Sequence, residues 1–508
     1  MFLDPVSPVE VEYHIKNLKN YKNNLNSISI CILKENSSTI SCIFADWINF
    51  CFLYGCFPKM IKKAIVVPIH KGGDPEIISN YRPISKLPYL SKIIEKCLKS
   101  RLVNYFYRHN LWNNIQFGFQ KGLSTQDAVI HLTEKIYENL NDKLSTVAVY
   151  IDFSKCFDTL NRNILLRKME AYGIRGTVLA LFSSYLDQRQ QAVLINNYLS
   201  DYQYISTGVP QGSVLAAILY LIYVNDIPNI SNLFSPCLYA DDTTLIFSDS
   251  DSVKLLNDCN EGINRFFNWC CTNRLSINIS KTKIMLFSNI LQPSSIDYVY
   301  MNGEKIELVT STRFLGVIMD DGVKFDVHID QITQKISKNC GILYKLRQYL
   351  HPKTMVSVYR SLIECYLNYC VLVFGNAYPV HINRLEIAQR KCIRIISHQL
   401  PSSHTNNLFY NLKVLKFTDI YKYNLGVYMY KNINSFLPNL RINHNATRSG
   451  NYYQPIFQRL TITKNQSLKY QAPINWEKIP MNIRDHRSIN SFKKHFKQHL
   501  ISAYEPQI

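Results

Sequence analysis

The sequence predicts an α+β fold in which a mixed, largely antiparallel sheet is backed by helices. Three observations predict it. Apolar residues recur at helical spacing in stretches such as YLSKIIEKCLKSRLVNYF and QDAVIHLTEKIYENLN. β-rich runs interrupt them, chief among them STVAVYI and CLYADDTTLIFS. The order reads helices, strand, helix, strand pair, helix, hairpin, helix, strands, helices, and a sheet covered by helices is its economical solution.

Taken in order, residues 1–60 read as mostly helical. SPVEVEYHIKNLKN opens on a Ser7 cap with Pro8 in the first turn. AIVVPIHKGGDPE is a short strand ending in a Gly-rich basic turn. Two amphipathic helices follow, the first with a basic face. STVAVYIDFSKCFDTL begins as strand and reaches a helix start near Asp158 to Asn161, with Asp158 read as a helix cap. ILLRKMEAYGI continues that helix to Gly173. QQAVLINNYLSDYQYISTGVP alternates as a hairpin does, and QGSVLAAILYLIYVNDI is an apolar helix entered after a Pro and a Gly. The hairpin around Tyr239 to Asp242 comes next, then the helix in CNEGINRFFNWCCTNRL. IMLFS and TRFLGVIMD are short strands. From about 326 to 400 the text is helical and basic, and the last hundred residues are rich in Tyr, Asn and Lys.

Composition bounds the partners. The chain has 508 residues, 47% of them hydrophobic, so it can bury sizeable cores. Lys and Arg number 57 against 37 Asp and Glu, a formal charge of +20 that favours a polyanion such as a phosphate backbone. No uncharged apolar run reaches the 18 or so residues of a spanning helix, so a membrane partner is not expected. The 14 cysteines are scattered without a CxxC pair, and several stand in apolar context; buried reduced thiols of an intracellular protein are expected rather than zinc or disulfides.

The acidic residues inside the strand runs carry the chemistry. Asp152 ends one run, and Asp241 and Asp242 sit at the waist of another. Alone, the Asp-Asp pair reads as an ordinary turn. Brought together on one end of a sheet, three carboxylates would raise each other's pKa, and a divalent cation would relieve that cost. Carboxylates that leave positions open for phosphates suit Mg²⁺.

At these residues the sequence resembles the reverse transcriptases of non-LTR, LINE-like retrotransposons, nearest the Jockey-like branch. YADD resembles the family's catalytic hairpin and YIDFSKCFDTLNR its first metal-binding motif. STGVPQGSVLAAILYLIYVNDI resembles the substrate- and template-positioning motif; NYRPISKLPYLSKIIEKCL and QFGFQKGLSTQDAV resemble fingers motifs. LSINISKTKIMLF and TRFLGVIMD resemble the later palm motif and the primer grip. The motifs run from about 65 to 320, with a weaker likeness beyond.

The resemblance implies a right-hand polymerase: fingers over 1–145, palm over 146–325 with part of the fingers threaded through it, a helical thumb over 326–400, and a basic C-terminal region over 401–508. It implies an RNA-directed DNA polymerase, a nucleotidyltransferase that extends a DNA primer with deoxynucleoside triphosphates on an RNA template. Two Mg²⁺ ions, or Mn²⁺ in their place, would be held by Asp152 and Asp241, with Asp242 a less direct partner. Lys71 and Arg82 match residues that hold the triphosphate. Phe157 matches the bulky residue under the incoming sugar, Gln211 and Gly212 those lining nucleotide and template, and Lys281 a lysine near the pyrophosphate. Phe314, Leu315 and Gly316 match the primer-gripping turn. An intracellular ribonucleoprotein, nuclear or cytoplasmic, follows; the rival is an inactive descendant that only binds RNA.

Some positions depart from the family. Ala216-Ala217 replace a usual Gly-Pro pair, and Gln120 stands where a basic residue is common. NYKNNLNSIS replaces a Gly- and Asp-containing segment, which puts the N-terminal template-gripping element in doubt. No CCHC knuckle is visible, and no endonuclease is expected ahead of motifs that begin so early; a truncated copy is the expectation.

Overall fold

The protein is described by a computed structural model that covers residues 1–19, 29–288, 299–436, 440–441, 452–456 and 458–505. The stretch NYKNNLNSIS falls outside these residues except for its last serine. Helices Pro8–Lys16 and Ser37–Tyr54 open the chain, and Ser7 caps the first by accepting from the Glu10 amide, as its sequence predicts.

Strands β1 (Lys63–His70) and β2 (Tyr81–Lys86) precede helices Tyr89–Arg108 and Thr125–Asn141. The second helix starts on a capping box, in which Ser124 and Asp127 exchange hydrogen bonds between side chain and backbone. Then come β3 (Ser145–Ile151), helices Arg162–Ala171 and Thr177–Leu186, and β4 (Arg189–Ile195), β5 (Tyr198–Leu199) and β6 (Gln203–Ile205). The expected hairpin is β4–β5, turned by Asn196 and Asn197 at φ 49° and 68°. Paired left-handed residues suit the twist of a two-residue hairpin, and Asn tolerates them best after Gly. Helix Ala216–Val224 leads to β7 (Ser235–Tyr239) and β8 (Asp242–Asp249), then helix Ser252–Thr272. Strand β9 (Lys283–Phe287), the short β10 (Tyr300–Met301), β11 (Glu304–Lys305) and β12 (Glu307–Leu308), and the hairpin β13 (Ser311–Phe314) and β14 (Val317–Asp320) follow.

Two five-stranded sheets result. One has the order β2-β1-β4-β5 with β6 on β4; the other has the order β12-β9-β3-β8-β7. In the second, β3 lies between two antiparallel neighbours and all seven of its residues are buried. Its period-two alternation separates two cores. Val147, Val149 and Ile151 face one core with Leu245, Phe247, Ile284 and Leu286, covered by helices Ser252–Thr272 and Ala216–Val224. Ala148 and Tyr150 face the other with Ile246, Met285 and Phe287, covered by helix Thr125–Asn141. Each Val or Ile buried this way contributes about 1.5–3 kcal/mol. A strand buried on both faces reads as a nearly continuous apolar run, as residues 147–151 do.

The second core extends into the C-terminal half. Helices Asp326–Leu346 and Pro379–Ile396 pack together, and Ile336, Tyr359 and Phe374 share their core with Phe417, Leu425, Trp476 and Phe492. Residues on either side of 400 therefore belong to one core. Glu134, from the helix covering the sheet, accepts bonds from the Leu468 amide at 2.6 Å and the Ser467 hydroxyl at 3.0 Å, which fastens this half to the sheet. Among the described residues no helix is long and apolar enough to cross a membrane.

Candidate active site

Register brings the acidic motifs together. Antiparallel pairing of β3 with β8 sets Ile151 against Thr243, so one step further Asp152 comes to the level of Asp242. Tyr239 pairs with Asp242, which leaves Ala240 and Asp241 as a two-residue turn, with Ala240 at φ 55°. Beyond β3 the chain continues to pair: the Asn278 amide donates to the Asp152 carbonyl at 2.8 Å, and the Ser154 amide to the Ser276 carbonyl at 2.8 Å. That pairing delivers the next turn, Ile279–Lys281, to the same end of the sheet.

The electrostatics follow from the placement. Desolvation pushes the Asp152 carboxyl up; Lys281 and Lys71 pull it down, and Asp241 pushes it up. Asp242 is pushed up to about 6, first by desolvation and then by the charges of Asp241 and Asp152. Its side chain is reached by solvent, so it lies at the surface rather than in a core. None of the three carboxylates makes an ion pair within 4 Å among the described residues. Uncompensated hard oxygen donors reached by solvent fit a divalent cation that keeps other positions for water and phosphate. The three are spread too widely to meet at one point. Among the described residues only Glu10, His14 and Cys97 bring three ligand atoms within 4.8 Å of one another. There Arg101 already forks onto both Glu10 oxygens, at 2.8 and 3.1 Å.

Elements of the other five-stranded sheet approach the same end. Lys71, at the end of β1, is exposed, and its amide donates to the Asn80 carbonyl at 2.8 Å. Arg82 is exposed on β2 opposite Ile69. Further along β2 the Ser85 amide donates to the Gln211 carbonyl at 2.6 Å, which fixes the PQG loop to the fingers sheet. Gly212, at φ 112°, leaves no room for a Cβ, which would lie 2.7 Å from the Ser85 carbonyl oxygen. Phe157 is half-buried with its ring 4.8 Å from that of Tyr220. On the far side, Leu315 and Gly316 form a two-residue turn at φ 45° and 86° between β13 and β14, with Phe314 buried beneath them.

Asp158 is not a helix cap. It lies within the short helix Cys156–Thr159 and accepts the Gln211 Nε2 at 2.8 Å, while Asn161 caps the next helix. Gln120, in place of the expected basic residue, donates to the Gln116 carbonyl at 2.8 Å. Of the basic thumb residues, Arg390 is paired with Glu386, and the half-buried Arg394 donates to the Ser403 carbonyl at 2.9 Å.

The motif likeness assigns no role to four residues, although three of them lie inside the quoted motifs. Gln116 is buried and accepts from the Gly118 amide at 2.8 Å and the Ala240 amide at 3.0 Å, which braces the acidic turn. Glu95, also buried, accepts from the Val214 amide at 2.7 Å and holds the loop entering helix Ala216–Val224. Arg162 forks onto the carbonyls of Ile205, Thr207 and Gly208 at 2.7–3.1 Å. Tyr369 bonds the Leu315 carbonyl at 2.6 Å. A buried Glu or Gln inside an apolar helix or turn is the one signal that could have found the first two.

Carboxylates at one end of a helix-backed, mainly antiparallel sheet, with the exposed Lys71 and Arg82 on the other five-stranded sheet, fit the architecture of the reverse transcriptase class. Residues 69–319 match the family described as reverse transcriptase (RNA-dependent DNA polymerase), so the chain carries a domain of that family. The chain is homologous to the polymerases of non-LTR mobile elements. It is 28% identical over 377 residues to the RNA-directed DNA polymerase from mobile element jockey of Drosophila melanogaster, covering 72% of this chain and 41% of that protein. The counterpart from jockey of Drosophila funebris is 27% identical over 82% of this chain and 46% of its own length. The probable RNA-directed DNA polymerase from transposon BS of Drosophila melanogaster is 27% identical over 77% and 45%. The chain thus spans less than half the length of these relatives. Enzymes of this family use divalent metal ions, consistent with these oxygen donors.

Proposed function

We propose that this chain extends the 3′ end of a DNA primer with deoxynucleotides on an RNA template. One observation carries the reading: Asp152, Asp241 and Asp242 gather at one end of the sheet with no ion-pair partner among the described residues, within electrostatic reach of Lys281 and Lys71. Asp152 and Asp241 would hold two Mg²⁺ ions, with Asp242 beside them, and Mn²⁺ suits the same donors. When bound, such a pair of ions activates the primer hydroxyl and stabilises the departing pyrophosphate.

The chain's own residues bind and orient. Lys71 contributes a mobile charge and Arg82 a planar fork to the triphosphate. Lys281 stands beside Asp152 to meet the pyrophosphate. With Nε2 tied to Asp158, Gln211 presents its carbonyl oxygen to the nucleotide, and Gly212 lets backbone approach it closely. Phe157, backed by Tyr220, offers a rigid ring under the sugar that excludes a 2′-hydroxyl. Phe314, Leu315 and Gly316 hold the primer end. Fingers over 1–145, palm over 146–325, thumb over 326–400 and the region 401–508 are the divisions of this proposal. Its setting is an intracellular ribonucleoprotein.

Primer extension on poly(A) and oligo(dT), with duplex affinity measured in parallel, tests it. Wild type extends, whereas Asp152→Asn and Asp241→Asn lose extension by orders of magnitude and still bind duplex. Near-normal extension by either variant overturns the metal assignment. An inactive wild type that binds duplex tightly favours the binding-only descendant. Phe157→Val raises ribonucleotide incorporation relative to deoxynucleotide; unchanged discrimination returns Phe157 to the core.

A further inference from the structure

We propose that Tyr369 is a positioning residue that latches the thumb to the turn Leu315–Gly316 and so sets where the primer end is held. The inference rests on the reading of that turn as the primer grip.

The Tyr369 hydroxyl joins three separate parts of the chain. It donates to the Leu315 carbonyl at 2.6 Å, and lies 3.1 Å from the Thr125 hydroxyl, which donates to it in turn. Thr125 is the first residue of the helix Thr125–Asn141 that covers the sheet, 244 residues away in sequence. The hydroxyl of Tyr239, next to the acidic turn, is within electrostatic reach. Tyr369 is thus the point at which its own helical segment, the turn Leu315–Gly316 and the start of helix Thr125–Asn141 meet.

The turn needs such a tie. Leu315 is held at φ 45°, a left-handed conformation that costs a non-glycine residue of order 1 kcal/mol and persists only when its surroundings determine it. Gly316 is part of the same fit. A Cβ there would lie 3.2 Å from the Tyr369 ring, so the ring packs where a side chain would be.

The backbone around Tyr369 is also unusual. One π-helical turn, Arg360–Glu364, interrupts the thumb helix before it, and Cys370 after it sits at φ 53°. A π-turn rotates everything that follows relative to a regular helix, and such turns occur often at functional sites. Here the rotation ends at the residue that reaches the grip. Tyr369 itself is 42% exposed. A structural tyrosine would bury its ring; this one stays on the surface beside the turn.

The test uses full-length protein and an oligo(dT) primer with 4-thiothymidine near its 3′ end, annealed to an RNA template. Photocrosslinking yield, duplex affinity, products per binding event under a heparin trap, and thermal melting are compared. Tyr369→Phe keeps the ring and loses the hydroxyl. It is expected to lower crosslinking and duplex affinity about tenfold, the scale of one or two lost hydrogen bonds. Products per encounter shorten, while melting hardly moves. Thr125→Val gives a smaller loss, and the double variant is no worse than Tyr369→Phe, because both remove the same latch. Gly316→Ala separates the two readings. If it leaves crosslinking and affinity unchanged, the grip reading falls. If it lowers both while Tyr369→Phe matches wild type, the latch is overturned and the grip stands. Crosslinking and affinity need no catalysis, so both decide the question for an inactive wild type as well.

Discussion

Two turns of this protein do similar jobs with opposite support. Ala240-Asp241 and Leu315-Gly316 are both two-residue hairpin turns with a non-glycine residue at positive φ. The first is braced from inside: the Ala240 amide bonds to Gln116, which is 2% exposed, and Gly118 packs directly on the turn. The second is braced from outside, by Tyr369 at the surface and by the thumb helix behind it. Under the proposed function the first turn presents carboxylates to metal ions, a task that gains from a rigid seat, and the second holds the primer end from the surface.

The largest expected effect tests the rigid seat. A Cβ on Gly118 would lie 2.3 Å from the Ala240 nitrogen and 3.0 Å from two further backbone atoms, with no flexible side chain to yield. Gly118→Ala therefore displaces the acidic turn, and extension should fall about a hundredfold, as displacements near 1 Å do. Single-turnover rates at saturating duplex measure it, with duplex affinity expected to hold. A near-normal rate would show that the turn tolerates movement and erase the contrast.

Gln116→Leu comes next. It leaves the buried amides of Ala240 and Gly118 without acceptors and should destabilise the fold by about 3 kcal/mol in denaturant titration. Gln116→Glu retains an acceptor and should lose less. Equal losses would mean that volume, not the hydrogen bonds, is what Gln116 supplies.

The outer support should respond to pH instead. His328, on the thumb helix, accepts from the Ile318 amide of β14 and is held down to about 4 by burial, with Lys335 and Arg313 adding to the effect. The unfolded chain binds the proton more readily, near pH 6.5, so stability is present above that value and is lost as pH falls toward 4. Between pH 7.5 and 5 the loss from this residue is about 2 kcal/mol, and His328→Gln should remove that slope from melting curves. A slope unchanged in the variant would assign it elsewhere. The smallest effect is on the thumb surface, where Arg384 and Asp330 pair while nearly half exposed. Asp330→Asn should shift stability by less than about 0.5 kcal/mol and not at all in high salt. A larger shift would mean that the thumb exterior contributes to its seating.

Much of this was legible in the residues. STVAVYI reads as a strand because β-branched and aromatic residues dominate it, and QDAVIHLTEKIYENLN reads as a helix by its apolar period. Asp152, Asp241 and Asp242 stood out because charge is costly inside such runs. Local chemistry determined these features, since each depends on neighbours within one turn of helix or one strand. What only the tertiary structure decided is pairing at a distance. Register, fixed by which faces of β3 and β8 are buried, brings Asp152 level with Asp242 across 90 residues of chain. Asp158 reads as a cap by its type and place, yet the fold gives its carboxylate to Gln211. Gln116 and Tyr369 are an ordinary amide and an ordinary phenol in the sequence; a strained turn needs an acceptor or a donor from elsewhere, and only folding shows which residue supplies it.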